Sequence, residues 1–300
     1  MINKKVVCVG TVNVDVLLFV DDFCKDDGEQ IIKDISIFSG GQAGNVAHGL
    51  AKLGKKSFFF GNIGTDKYTP MLLKDFDEVG VNYSYSIKTK NQNSSVYSIV
   101  NNKGLKRMYC FNDLDFSIND FSEEIYNNTS FIIFTSIQKN DAIDIYVKIA
   151  KEAKIRGIKI ALDPGNIFSR LGFEKLSPLL RFCDYFFPSE DELNMLVGNN
   201  ISKLLELVPN VIVTCKERGV KFFKKDEYNY NEPKIFLGKK IKRPIDTTGA
   251  GDCFVAAFIS AILDGLSEDL AIDFANKAAG LSITKKGARS MPSREEIGDL

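Results

Sequence analysis

A segment near the carboxyl end of the chain, residues 246–252, combines two threonines, two glycines and two aspartates in the order DTTGAGD. The residues that follow it are almost all apolar, which predicts a buried helix beginning near Gly249. Gly249 and Gly251 permit a tight turn with its N–H groups pointing one way, and a helix N-terminus is a natural phosphate site. Asp252 in that first turn has a simple structural explanation, because acids favour helix N-termini. The chemical alternative is phosphoryl transfer to an alcohol, which needs an anion-binding turn beside a carboxylate base.

A second polar, glycine-rich segment, SGGQAGNVAHGLAKLG, occupies residues 39–54. Gly40 and Gly41 allow the backbone to approach a ligand closely, and the Asn45 side chain offers both donors and an acceptor. Neither segment is a GxxxxGK[ST] loop or a GxGxxG fingerprint. These absences argue against a P-loop NTPase and an NAD-dependent dehydrogenase.

Histidine and cysteine usage narrows the chemistry further. The single histidine, His48, lies in a helical pattern, and we expect it to be a hydrogen-bonded helix residue. One histidine excludes a two-histidine metal site, so a general base is expected to be a carboxylate. The six cysteines are scattered without a CxxC pair, which favours reduced thiols in a cytoplasm. Cys8, Cys183 and Cys215 lie in apolar runs and are expected to fill the core.

Composition excludes several classes of partner. Lys+Arg and Asp+Glu both number 39, so there is no overall basic field for nucleic acid. No window approaches 18 uninterrupted apolar residues, and the first apolar run is too short for a signal peptide. We therefore expect a cytoplasmic protein that spans no membrane.

Short apolar runs alternate with helical patterns along most of the chain, which predicts an α/β fold with a mostly parallel sheet and helices on both faces. The predicted strands are Val6–Gly10, Ser57–Gly61, Phe131–Thr135, Ile158–Asp163, Tyr185–Phe187, Val211–Thr214 and Val220–Phe223. The predicted helices include Gln42–Leu53, Asp141–Arg156 and Ser202–Leu207.

Two regions lack intervening helices and read as hairpins. They pair Val14–Val20 with Ile31–Phe38, and Ser94–Val100 with Leu105–Phe111, the second pair turning at residues 101–104. We interpret them as a small β-sheet that stands off the main domain as a lid. The alternatives are surface hairpins or the edge of a dimer, and a lid can also be such an edge.

The glycine-pair segment and DTTGAGD, in this order, resemble the two signature motifs of the ribokinase (PfkB) carbohydrate kinase family. GTVNVD near the amino end and KAAGLSITKKGARSMPSREEI near the carboxyl end resemble the flanking family segments, so the similarity covers essentially the whole chain. The resemblance implies a ribokinase-like, Rossmann-type three-layer α/β sandwich. It also implies a single kinase domain over residues 1–300, with lid strands inserted at about 14–38 and 94–111.

The resemblance implies an ATP-dependent kinase acting on a hydroxymethyl group of a sugar or related compound. Asp252 matches the catalytic base, and the N–H groups of Gly249, Ala250 and Gly251 match the anion hole for the γ-phosphate. The residues that match substrate-binding positions are Asn13, Asp15, Gly40, Gly41 and Asn45. Asp15 has the alternative interpretation of a charge at a strand edge.

On the nucleotide side, the matching residues are Ser189, Thr214, Lys216, Gly219, Thr247 and Asn276. Lys216 stands where the family usually has glycine, and Ser189 stands where it usually has asparagine. Glu192 matches a residue that organises Mg²⁺ through water, and it also completes a capping box with Ser189. The residues that match a monovalent-cation site, which would bind K⁺, are Asp246, Thr248, Ser282, Lys285, Gly287 and Ser290.

Two alternatives stay open. A nucleoside kinase of the same family would share every catalytic residue, and a non-catalytic metabolite sensor would bind without turnover. The lid strand is apolar at Val14 and at the successive positions Val16, Leu17, Leu18, Phe19 and Val20. A thin sheet that is apolar on both faces needs cover on both, so we expect a homodimer through the lid.

Overall fold

The structure is a computed structural model that describes residues 4–112, 117–198, 200–225, 232–239, 241 and 244–298. The strands are β1 (Lys5–Val9), β2 (Asn13–Val20), β3 (Ile32–Gly40), β4 (Ser57–Phe60), β5 (Asn62–Ile63), β6 (Ile87–Lys88), β7 (Ser94–Val100), β8 (Lys106–Phe111), β9 (Thr129–Thr135), β10 (Lys159–Asp163), β11 (Tyr185–Phe186), β12 (Asn210–Thr214), β13 (Gly219–Lys224) and β14 (Lys234–Leu237). The helices are α1 (Gln42–Lys52), α2 (Thr69–Val79), α3 (Glu123–Tyr126), α4 (Ala142–Ile155), α5 (Gly165–Ser169), α6 (Phe173–Leu180), α7 (Glu190–Val197), α8 (Ser202–Leu205), α9 (Ala250–Leu263), α10 (Glu268–Ser282) and α11 (Arg294–Ile297), with 3₁₀ turns at Ile118–Asp120 and Lys216–Arg218.

The large sheet has eight strands in the order β14-β13-β12-β11-β10-β9-β1-β4. The pairs from β12 to β4 are parallel, and β13 and β14 add antiparallel strands at one edge. This confirms the predicted mostly parallel sheet. Parallel strands place their carboxyl ends at one edge, where α/β proteins bind ligands. Thr135, Asp163 and Thr214 all end strands there.

Alternate residues of the central strands enter two separate cores, as the pleat requires. Val6 and Cys8 of β1 pack in one core, which includes side chains of α1, α9 and α10. Val7 and Val9 pack in the other, which includes side chains of α4 and α6. Helices therefore cover both faces of the sheet in a three-layer sandwich. Cys8, Cys183 and Cys215 are buried, as predicted.

The lid is a four-stranded sheet in the order β3-β2-β7-β8. Both predicted hairpins form, and β2 and β7 join them by parallel pairing. The turn between β7 and β8 closes where predicted, because the Gly104 amide donates to the Asn101 carbonyl. This sheet carries Asn13 and Asp15 on β2, so it brings substrate-binding candidates to the main sheet.

Several details differ from the sequence predictions. The β14 strand and the short β5–β6 pair were not predicted, and α8 ends at Leu205 rather than Leu207. His48 lies buried in α1, but its Nδ1 has no hydrogen-bond partner among the described residues. The expectation of a hydrogen-bonded histidine was therefore wrong at this atom. Burial first, and then the Arg289 charge, lowers the pKa of His48 to about 4, so the ring stays neutral.

Candidate active site

The turn before α9 has the backbone conformation that its glycines predict. Gly249 is the N-cap of α9, with φ 77° and ψ 4°, in the left-handed region. A Cβ at this position would lie 2.3 Å from the Ala288 carbonyl oxygen, so glycine is required sterically as well. The first helical bond runs from the Cys253 amide to the Gly249 carbonyl at 2.8 Å. Amides earlier than this in a helix lack helical partners and are available to an anion.

One of the three amides expected in the anion hole is already engaged. The Ala250 N–H donates to the Thr247 carbonyl at 3.3 Å and closes the turn. This leaves the Gly251 amide, together with that of Asp252, as the first-turn donors best placed for a phosphoryl group. Thr247 therefore has an observed role in shaping the turn through its carbonyl.

Asp252 is buried in the first turn of α9, with a side chain that meets α1. The Asn45 amide Nδ2 donates to Asp252 Oδ2 at 2.7 Å. Burial raises the pKa of Asp252 to about 7, although the Asn45 hydrogen bond opposes this rise. A carboxylate with a pKa near 7 is suited to accept a proton from an alcohol at neutral pH.

The acceptor side is built where the lid joins α1. Asn13 of β2 pairs with Gly40 of β3, and Gly41 follows as the N-cap of α1 with φ 90°. A Cβ on Gly41 would lie 2.6 Å from the Thr11 carbonyl oxygen, so the turn requires glycine here. Glycine thus lets the strand pass directly into the helix that carries Asn45.

Two buried acceptor atoms at this junction have no partner among the described residues: Asn13 Oδ1 and Asn45 Oδ1. Buried polar atoms are nearly always hydrogen-bonded, so each orphan needs an explanation. Hydroxyl groups of a bound sugar would supply the missing donors.

Asp15 faces the same junction. Burial raises its pKa to about 6, while the charges of Lys106 and Arg289 oppose the rise. An ionised Asp15 accepts hydrogen bonds from hydroxyls, which supports the interpretation as a substrate ligand over that of a strand-edge charge.

Four of the six nucleotide-side candidates lie around the end of β12: Ser189, Thr214, Lys216 and Gly219. Ser189 forms an isolated bridge with Thr214, which places the start of α7 beside this strand. Lys216 has φ 54°, the left-handed region, so the family's glycine at this position has a conformational reason. The Lys216 side chain is exposed and pairs with Asp191 at 3.0 Å. Gly219 ends the turn with φ 97°.

Asn276 lies on α10, and its Nδ2 is buried without a partner among the described residues. This orphan donor fits a ligand acceptor such as an adenine nitrogen.

Glu192 caps α7 and also contributes to a group of acids. The Ser189 amide donates to Glu192 Oε2 at 2.7 Å, and the Ser189 hydroxyl accepts from the Glu192 amide, so the predicted capping box is present. Burial, followed by the charges of Glu192 and Asp252, raises the pKa of Asp163 well above its ordinary value. No basic residue in the described ranges forms an ion pair with these three acids. A hydrated Mg²⁺ fits such a group, because Mg²⁺ prefers carboxylate oxygens and water.

The cation-site candidates only partly converge. Asp246 accepts from the amides of Thr248 and Gly287, each at 3.0 Å. Burial alone would raise the pKa of Asp246, but these bonds outweigh it and hold the pKa below its ordinary value. The Ser290 hydroxyl donates to the Gly287 carbonyl at 2.6 Å, so Ser290 closes the same loop.

The other two cation-site candidates are engaged elsewhere. The Ser282 hydroxyl donates to the Ala279 carbonyl within α10, and Lys285 pairs with Glu296 at 2.6 Å. Their side chains are therefore not directed at Asp246, and only their backbone carbonyls remain as cation ligands.

Sequence reasoning singled out Asp163 after its strand but missed Gln42, which links α1 to Asp163 at the end of β10. Gln42 Nε2 donates to Asp163 Oδ1 at 3.2 Å, and Gln42 Oε1 accepts from the Ser136 hydroxyl at 2.9 Å. The position of Asp163 directly after an apolar strand, at the edge where ligands bind, marks it in the sequence as a candidate.

Arg289 was also missed. Its side chain is only 6% exposed, pairs with Asp75 at 3.3 Å and lies 4.6 Å above the Phe76 ring. It also donates to the Gly40 carbonyl at 3.5 Å. Arg289 thereby fixes the glycine turn of the acceptor side to α2.

The fold and the site define a phosphotransferase with an alcohol group as acceptor. Residues 3–295 match the family model described as "pfkB family carbohydrate kinase", and the chain belongs to this family of kinases. The ribokinase of Staphylococcus aureus is 28% identical over 99% of this chain and all of its own length. An ATP-dependent ribose-1-phosphate kinase of Halopiger xanaduensis is 27% identical over 98% of this chain and 96% of its own.

A comparison with a solved structure agrees with this family assignment. The ribokinase of Arabidopsis thaliana, complexed with ribose and ATP, superposes with a TM-score of 0.85 at 26% identity, covering 99% of this chain and 98% of that one. The predicted family and fold are thus confirmed, and the chain is a sugar or nucleoside kinase that uses ATP. No helix among the described residues is both long and apolar enough to cross a membrane.

Proposed function

We propose that this kinase transfers the γ-phosphoryl group of ATP to a hydroxymethyl group of a sugar or sugar derivative. The observation that carries the proposal is the position of Asp252, which is buried, bonded to Asn45 and next to the Gly249 turn. The acceptor hydroxyl gives its proton to Asp252 as its oxygen attacks the γ-phosphorus. The bond from that phosphorus to the bridging oxygen of ADP breaks.

The backbone of the Gly249–Gly251 turn would stabilise charge on the transferring phosphoryl group. Asn13, Asp15, Gly40, Gly41 and Asn45 would orient the acceptor, and the orphan oxygens of Asn13 and Asn45 support this role. Ser189, Thr214, Lys216, Gly219, Thr247 and Asn276 would bind the nucleotide.

Two cations are part of the proposal. Mg²⁺ bound with ATP neutralises phosphate charge, and Glu192 would hold it through water, with Asp163 beside it. The loop that joins Asp246 to Thr248, Gly287 and Ser290 supports a K⁺ site, to which Ser282 and Lys285 would add only backbone oxygens.

We also propose a homodimer through the lid, in a reducing cytoplasm. Ile37, Tyr97 and Tyr109 lie in one row of the lid sheet, and each is at least 40% exposed. A row of exposed apolar side chains on a thin sheet is typical of an interface. All six cysteines are free thiols, which supports a reducing compartment.

The test is ADP release from ATP–Mg²⁺ across pentoses, hexoses, their phosphates and nucleosides, with Asp252→Asn alongside. A sugar acceptor whose turnover is abolished by the substitution would support the proposal. Turnover of nucleosides alone would favour a nucleoside kinase. ATP binding without turnover of any acceptor would favour a metabolite sensor.

A further inference from the structure

A cavity of 440 Å³ lies between the lid and the turn that leads into α9. Leu17 and Phe19 of β2 form part of its lid wall, and Asp246, Thr247 and Thr248 lie in the opposite wall. This volume is within the range of about 300–1,000 Å³ that small-molecule sites occupy. It is therefore large enough for a substituent beyond the acceptor hydroxyl that reacts.

Lysines enter this cavity from both walls. Lys106 begins β8 in the lid, and Lys286 belongs to the loop after α10. In the described part of the chain neither forms an ion pair, whereas the neighbouring Lys285 pairs with Glu296. Exposed lysines without an ion-pair partner are common, so this observation alone does not indicate an anion site. The face of the lid from which Lys106 projects is the stronger evidence.

The sheet register gives that direction. Asp15 pairs with Val96, and Val96 pairs with Cys110, so these three residues share one row and one face of the lid. Lys106 is four residues before Cys110 on the same strand, and alternation places it on the same face. Lys106 is thus on the side of the lid that carries Asp15.

The charges agree with this placement. Burial raises the pKa of Asp15 to about 6, and the Lys106 charge is the largest influence that opposes the rise. The Lys106 ammonium therefore acts on Asp15, an acceptor candidate on the same face of the lid.

We propose that this cavity binds an anionic substituent of the acceptor, and that the acceptor is a sugar phosphate rather than a neutral sugar. The inference rests on the proposed kinase function. The ammonium groups of Lys106 and Lys286 supply cationic donors for phosphate oxygens. The hydroxyl oxygen of the sugar phosphate bonds to the γ-phosphorus, its proton passes to Asp252, and ADP leaves. The product is a sugar bisphosphate.

The anion in this cavity could belong to the acceptor or to ATP. The position of Lys106 favours the acceptor. Lys106 is on the sheet that carries Asn13 and Asp15, the acceptor candidates. Of the nucleotide candidates, Thr214 and Gly219 belong to the other sheet, and Thr247 lies in the cavity wall opposite the lid. The phosphates of ATP would instead approach the Gly249 turn from that side.

The test compares ribose, ribose 1-phosphate and ribose 5-phosphate as acceptors for the wild type and for Lys106→Gln. We expect ribose 1-phosphate to have the highest kcat/KM, because the hydroxymethyl group of ribose 5-phosphate is already esterified. Lys106→Gln should raise the KM for it roughly 10- to 100-fold and leave the KM for ATP unchanged. The matched control is Lys103→Gln, because Lys103 is on the same lid but acts on Asp22 instead. This control should leave every KM unchanged.

Three outcomes would overturn the inference. If ribose has the higher kcat/KM and Lys106→Gln changes neither acceptor, the substrate class is wrong while the kinase function stands. If Lys106→Gln raises the KM for ATP instead, the anion belongs to the donor. If no neutral or phosphorylated sugar is turned over, the proposed function fails with the inference.

Discussion

Asn45 and Asp252 are 207 positions apart in the chain, yet the Asn45 amide donates to the Asp252 carboxylate at 2.7 Å. The contact joins the N-terminal turns of α1 and α9. It places an acceptor-binding candidate in contact with the candidate base. The two glycine-rich segments thus form one candidate site, in which the acceptor-binding candidate Asn45 also lowers the pKa of the candidate base Asp252.

Replacing Asp252 with Asn should remove the base and keep its shape. We expect kcat to fall roughly 10²- to 10⁴-fold, because a positioned base typically contributes this much. ADP release with the preferred acceptor measures the loss. Asp273→Asn, at an exposed position on α10, is the matched control and should keep full activity.

The stability of the Asp252→Asn variant should depend less on pH than the stability of the wild type does. The folded-state pKa of Asp252 is about 7, above the ordinary value of 3.8. The contribution of Asp252 to stability is therefore present below about pH 4 and is lost as the pH rises through 7. Urea unfolding at pH 5 and pH 8 should show a smaller decline for Asp252→Asn than for the wild type. An equal decline would show that burial does not raise this pKa.

Asn45→Ala should move the pH profile of kcat/KM. The Asn45 hydrogen bond opposes the rise in the Asp252 pKa, so its removal should raise that pKa further. The limb that rises with pH should shift to higher pH by about one unit, since a hydrogen bond to a charged group contributes about 1.5–3 kcal/mol. Asn194→Ala, exposed on α7, is the control. An unshifted limb with a lower maximum would mean that Asn45 only binds the acceptor.

The sequence was sufficient to predict features that depend on the local backbone conformation. The turn at Gly249 and the start of α9 follow from glycine conformations and apolar composition within fifteen or so residues. The alternation of strands and helices was likewise local. The family resemblance then placed residues from distant segments in one site.

What the sequence could not show is long-range side-chain pairing. Arg289 meets Asp75 from 214 positions away, and Gln42 meets Asp163 from 121 positions away. Neither pairing leaves a periodic or motif signal. The role of Lys216 was open for a different reason, because its left-handed backbone is visible only in the fold.

Arg289→Met should weaken acceptor binding more than ATP binding. The variant loses the bond to the Gly40 carbonyl and leaves Asp75 without its partner. We expect a stability loss of about 1–3 kcal/mol, at the lower end because a third of the Asp75 side chain is exposed.

The kinetic readout separates positioning from stability. The Arg289 charge opposes the raised pKa of Asp15, so its loss should raise that pKa above about 6. The KM for the acceptor should then improve with pH over a higher range than in the wild type, while the KM for ATP stays the same. Arg289→Lys keeps the charge and should restore the wild-type pH range. A uniform loss of kcat at every pH would assign Arg289 a structural role only.

Lys216→Gly and Lys216→Ala together test what this residue does. Because Lys216 has φ 54°, the glycine variant should be more stable than the alanine variant by about 1 kcal/mol. The exposed pair with Asp191 contributes little to either difference. If the lysine contacts a phosphate, both variants should raise the KM for ATP equally. An effect in the alanine variant alone would mean that only the backbone matters.

The outer face of the lid should hold two copies of the chain together. Ile37, Tyr97 and Tyr109 form an exposed row that solvent would otherwise wet. Light scattering at micromolar concentration should give twice the chain mass of 33.5 kDa. Tyr97→Asp should reduce this to the single mass, because a dimer would bury one unpaired carboxylate from each chain. Ile155→Asp, at an exposed apolar position on α4, should leave the mass unchanged. A wild-type protein of single mass would contradict the proposed dimer, and the exposed row would then need another partner.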